Sequence, residues 1–142
     1  MGSRDYLIRQ IEEMGVFLAL LLRRILKMKE ENQQASVESV VKESLLQELK
    51  LDIDQVVVLE NNDFLSVAKQ YFTSEDQLEK LADILNVLGQ NIETSFSLTK
   101  SNYLLKSFFL FTHLQETSSV FSYERRAKIK ELQKIILELG LT

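Results

Sequence analysis

From Leu7 to Met28 the apolar residues Leu7, Ile11, Met14, Leu18, Leu21, Ile25 and Met28 recur at alternating spacings of four and three. That is the period of one face of an α-helix; a strand would alternate every second residue. Ile8, Gly15, Ala19, Leu22 and Leu26 form a second stripe beside the first. Two adjacent stripes make a face wide enough to meet more than one neighbouring helix. Gly15 is the only helix breaker in this stretch, at ~1 kcal/mol relative to Ala. The pattern predicts a long N-terminal helix over 5–31, with Asp5 as its N-cap.

Within it, residues 14–22 read MGVFLALLL without a charge. A bilayer span takes ~20 apolar residues. This run stops at Arg23–Arg24, and the stripe continues through charged sequence on both sides. The reading is an amphipathic helix rather than a membrane segment. No signal-peptide pattern precedes it, so a cytoplasmic location is expected.

The remaining sequence continues in the same vein. Its 142 residues include no proline and four glycines, too few for the tight turns that sheets require. With 45% hydrophobic residues the chain can bury a core. An all-α fold in a single domain over 1–142 is expected. Short helices should fill 36–72, with Ser36 capping the first and Asp52 with Gln55 forming a capping box for the second. QVVVL at 55–59 is β-branched, but a lone strand would have no partner, so a helix is predicted. A further helix should start at Asn62–Asp63. Helical hairpins should fill 74–139. Ser74 with Gln77 is a capping box and Gly89 is placed as a left-handed C-cap. A long helix is expected from about Thr94 to Gln115. Ser122 should cap the last helix, and Gly140 should close it. Seven helices result, with sequential neighbours antiparallel.

Charge is unevenly placed. Residues 1–29 carry six basic and three acidic side chains, residues 30–99 four and fourteen, and residues 100–142 seven and four. Two basic ends therefore flank an acidic middle, which favours contacts between ends and middle.

Reactive chemistry finds little footing. The absence of cysteine removes disulfides, thiolate catalysis and cysteine-ligated metals. His113 is the only histidine, whereas metal sites gather several His or Cys. It reads as a partly buried or capping residue. The carboxylate pairs Glu12–Glu13, Glu30–Glu31 and Glu75–Asp76 point about 100° apart on a helix and do not converge. No phosphate loop, dinucleotide fingerprint or nucleophile elbow occurs. No catalytic residue, cofactor or metal is assigned. Arg125, Arg126, Lys128, Lys130 and Lys134 could contact nucleic acid, but Glu124, Glu131 and Glu138 interrupt them. A salt-laced surface helix is the preferred reading, with pairing to the acidic middle as another. Phe108–Phe111 reads as core, while Tyr71, Phe72 and Tyr103 could line a groove.

From Gly89 onward the chain resembles a tetratricopeptide-type helical hairpin. Leu85, Leu88 and Gly89 fit the Leu–Gly end of that repeat's first helix, Ser101 its small residue and Leu105 a later large apolar one. Ile92, Phe108 and His113 depart from its aromatic, small and proline positions. DYLIRQIEEMGVFLALLL at 5–22 and SSVFSYERRAKIKEL at 118–132 resemble the opening and closing segments of a bacterial family of all-helical, tetratricopeptide-repeat-like proteins without assigned activity. The resemblance implies a right-handed superhelix of hairpins and a bacterial cytoplasmic setting.

The function expected from these readings is a non-enzymatic scaffold whose inter-helix groove binds a protein or peptide. The alternative is a structural homo-oligomer, such as a homodimer, formed through Leu7, Ile11, Met14, Leu18, Leu21 and Ile25. A nucleic-acid-binding protein comes third.

Overall fold

The computed structural model describes residues 2–92 and 97–141, with side chains from residue 4 onward. Among them are seven α-helices: α1 Gly2–Glu30, α2 Val37–Leu49, α3 Ile53–Val57, α4 Asn61–Tyr71, α5 Glu75–Asn91, α6 Leu98–Thr117 and α7 Tyr123–Glu138. A single 3-10 turn, Gln34–Ser36, precedes α2. The described residues contain no strand; of QVVVL, residues 55–57 are helical and α3 stops at Val57, short of Leu59, with Val56 and Val57 buried. No described helix is long and apolar enough to cross a membrane.

The caps follow from local sequence. Ser74 accepts from the amide of Gln77, Ser97 from Lys100 and Ser122 from Arg125. Asp52 accepts from the amide of Asp54. Gly140 adopts φ +71° and closes α7 with paired bonds from Gly140 to Leu137 and from Leu141 to Ile136. Asn32 does the same for α1 at φ 59°, its left-handed geometry tolerated by a short polar side chain.

Three helix starts differ from expectation. α1 begins at Gly2, which puts Asp5 in the first turn rather than at the cap. Ser36 makes no side-chain cap bond and belongs to the 3-10 turn. α4 begins one residue early, after Glu60. The expected start of the sixth helix at Thr94 lies outside the described residues; the described helix runs from Leu98.

Gly89 is the instructive correction. α5 runs past it to Asn91, and Gly89 is buried inside the helix. A Cβ there would stand 2.6 Å from Cγ and Cδ2 of Leu104. The glycine lets α5 and α6 approach closely. The end of α5 is capped instead by Lys100, whose Nζ donates to the carbonyls of Gly89 at 2.8 Å and Ile92 at 2.6 Å. A cation at a helix C-terminus meets the negative end of the dipole. Burial lowers the Lys100 pKa.

α5 and α6 form the central antiparallel hairpin, tied by Ser107 Oγ donating to the carbonyl of Ala82 and Ser118 Oγ to Glu75. α1 packs on α5 and runs in the same direction, while α7 packs on α6. α2 lies against α1, and the short α3 and α4 cover α6. The core contains Leu18, Ile25, Leu45, Phe64, Phe72, Leu85, Tyr103 and Phe111, all fully buried. Each contributes roughly 1.5–3 kcal/mol of burial.

Candidate protein-binding groove

The apolar stripe of α1 divides at its middle. Leu18, Leu21, Ile25 and Met28 are buried in the chain's own core. Towards the N-terminus α1 runs past the start of α5, and the same stripe emerges: Leu7 is 56% and Ile11 43% exposed, with Met14 half-buried. Of the six residues expected to mediate self-association, Leu7, Ile11 and Met14 are thus on or near the surface. Leu18, Leu21 and Ile25 could meet a second copy only if the core opened.

Leu7, Ile11, Met14 and Phe17 form one wall of a groove of about 560 Å³. Leu49 and Glu48 from the end of α2, with Tyr71 and Gln70 from the end of α4, form the other. Thr73 and Gln77 close it at the start of α5. Met14 and Phe17 pack this wall against the core, and Gln77 ties it to α5. Gln77, 2% exposed, donates from Nε2 to the carbonyl of Ile11 at 2.8 Å and accepts at Oε1 from the amide of Thr73 at 3.0 Å. Gln77 is legible in sequence as a capping residue. Its reach to α1, 66 positions away, has no signal in the local pattern.

Of the aromatic residues expected to line a groove, only Tyr71 does so. Phe72 and Tyr103 are fully buried. The Tyr103 hydroxyl donates to Asp54 at 2.5 Å, and Lys42 pairs with Asp54 at 2.7 Å and Glu38 at 3.3 Å. Burial, reinforced by the Asp54 carboxylate, drives the Tyr103 pKa far up. The hydrogen bond to Asp54 raises that of Lys42. This chain of groups joins α2, α3 and α6.

The basic residues of α7 are split between two uses. Arg125 is 8% exposed and donates from Nε to Glu79 at 2.5 Å and from Nη1 to Gln115 at 3.0 Å. Lys128 pairs with Asp83 at 2.7 Å and lies 5.5 Å from the Phe111 ring centroid. Burial holds the Asp83 carboxyl above its usual value despite Lys128. Both acids lie on α5, so this basic end does meet the acidic middle. Arg126, Lys130 and Lys134 stay exposed.

His113 stacks on Phe109 with ring centroids 6.0 Å apart. Phe108 and Phe109 are partly buried, and Leu110 and Phe111 fully so. Glu75 is engaged by Ser118, and Asp76 by Lys80. Among the described residues no three His, Cys, Asp or Glu side chains gather in a way that could hold a metal ion.

No family model matches the chain, and neither a curated protein nor a solved structure matches it. The groove has to be interpreted from its own chemistry.

Proposed function

We propose that this chain is a non-enzymatic protein-binding module whose groove beside the N-terminal half of α1 receives an apolar helical segment. One observation carries the reading: the stripe that is core in the second half of α1 continues, in register, as the exposed wall of an apolar groove. Apolar grooves between helices take amphipathic helices through anchors at i, i+3 or i+4, and i+7. The charged rim would set orientation and the apolar floor would supply affinity. The close approach of α5 and α6 at Gly89 supports a tetratricopeptide-like hairpin at the heart of the module, as the resemblance implies. That resemblance also suggests a bacterial cytoplasmic setting.

Peptide phage display against the wild-type chain, repeated with Ile11→Asp, tests the proposal. The wild type should enrich peptides with apolar residues at helical spacing. Those peptides should lose binding to the variant while its circular dichroism stays that of the wild type. Peptides that bind both proteins equally, or no enrichment at all, would reject the groove as the binding site.

A further inference from the structure

We propose that the groove takes a basic amphipathic helix, a segment of a partner protein whose apolar stripe is flanked on both sides by Lys or Arg. This rests on the groove being a binding site and fixes the charge of what enters it. Its lining includes two carboxylates, Glu13 on the α1 wall and Glu48 on the opposite wall, and no Lys or Arg. The rest of the lining is apolar or neutral, with Met14, Phe17, Leu49 and Tyr71 the largest side chains. Glu13 and Glu48 are exposed, and among the described residues neither belongs to an ion pair. Asp54, Asp76, Glu79 and Asp83, by contrast, already hold a Lys or Arg.

The neighbouring charges leave this negative lining in place. Arg9 stands four residues before Glu13 without pairing to it, and lies about 160° round α1 from Ile11. Lys50 follows α2 as its C-cap and is not among the lining residues. Lys69 lines a separate cavity with His113 and Thr117. The positive end of the α5 dipole is met within its own first turn by Glu75 and Asp76. A partner with acids beside its apolar stripe would set like charges together on both walls, which disfavours it.

The shape of the groove says where the cations belong. From Leu7 to Phe17, α1 presents about 15 Å of helix to it. About three turns of a partner helix match that length, with apolar anchors at i, i+3 or i+4, and i+7. Residues beside such a stripe face the two rims, as the e and g positions of a coiled coil do. One carboxylate on each wall therefore calls for a Lys or Arg on each side of the stripe.

Two fluorescent model peptides of about 18 residues, long enough to form a helix, test the assignment. They share one leucine stripe and carry either Lys or Glu at the positions flanking it. Fluorescence anisotropy at low salt should show the Lys peptide binding the wild type about tenfold more tightly than the Glu peptide. The gap should narrow as salt rises. Glu13→Gln/Glu48→Gln should bring the two peptides to within about twofold of each other. Glu30→Gln/Glu138→Gln removes the same charge from exposed acids at the far ends of α1 and α7, and should keep the preference. Ile11→Asn, which takes away an apolar contact without adding charge, should weaken both peptides. Equal affinity of the wild type for the two peptides, with both lost in Ile11→Asn, overturns the charge selection and leaves the groove standing. A Lys preference that survives Glu13→Gln/Glu48→Gln overturns it too, since the field of the whole molecule then carries it. If no peptide binding depends on Ile11, the groove reading falls as well.

Discussion

Two glycines inside helices show how one residue type serves opposite ends. At Gly15 an added Cβ meets nothing within 4 Å, so the glycine costs conformational entropy and gives no packing in return. Gly15→Ala should stabilise the chain by about 0.5–1 kcal/mol. At Gly89 the same Cβ would press into the fully buried Leu104 side chain at 2.6 Å and approach its backbone nitrogen at 3.3 Å. Gly89→Ala should destabilise by about 1–3 kcal/mol, the usual cost of overfilling a packed core. Urea titration of both variants checks the pair; equal effects would show that the α5–α6 approach is looser than described. Sequence alone placed Gly89 at a helix end because glycine at that point reads equally well as a left-handed cap. Only the neighbouring helix distinguishes the two uses.

Among the elements, α7 docks through buried Leu132 and Ile136 and also through a buried charge. Its basic residues look alike in sequence, yet Arg125 is buried against Glu79 and Gln115 while Arg126 faces outward. Arg125→Met leaves Glu79 and Gln115 without their donor and should cost about 1–3 kcal/mol. Arg126→Ala should stay within about 0.5 kcal/mol of the wild type. Thermal unfolding of the two variants side by side gives the measurement, and equal losses would contradict the docking of α7 through Arg125. The acidic-middle, basic-end pattern was visible beforehand and favoured such contacts. Which cations would be used was not, since that depends on the rotation of α7 over α5 and α6. Lys100 left a fainter trace. A lysine in the first turn of α6 opposes that helix's own dipole, and it serves the end of α5 instead.

For the molecule as a whole, Tyr103 links three helices at one buried phenol, and its titration should appear in the stability of the entire fold. Its pKa lies well above the ordinary 10.0 in the folded chain. The unfolded chain therefore loses this proton first. Stability owed to Tyr103 is fully present below about pH 10 and falls as pH rises beyond it, by up to about 1.4 kcal/mol per pH unit. Lys100 and Lys106 act with the opposite sign, because burial lowers both from 10.5 and the unfolded chain holds more protons just below that value. Tyr103→Phe isolates the phenol. Its stability deficit should be largest at neutral pH and shrink between about pH 10 and 11 in urea titrations. A deficit constant across that range would remove Tyr103 from the alkaline response.

Helix content, most caps and the core stripe were determined by sequence, because each depends on residues within a few positions of one another. The four–three spacing of α1 and the serines at positions 74 and 122 with Gly140 are of that kind. The point at which the stripe of α1 stops being core is different in nature. No local rule marks it: Ile11 and Leu18 obey the same period, yet one lines an open groove and the other is fully buried. What separates them is where α5 begins alongside α1, at the point where Gln77 reaches the carbonyl of Ile11. Periodicity records which face of a helix is apolar, and only tertiary packing decides how much of that face its own chain can cover.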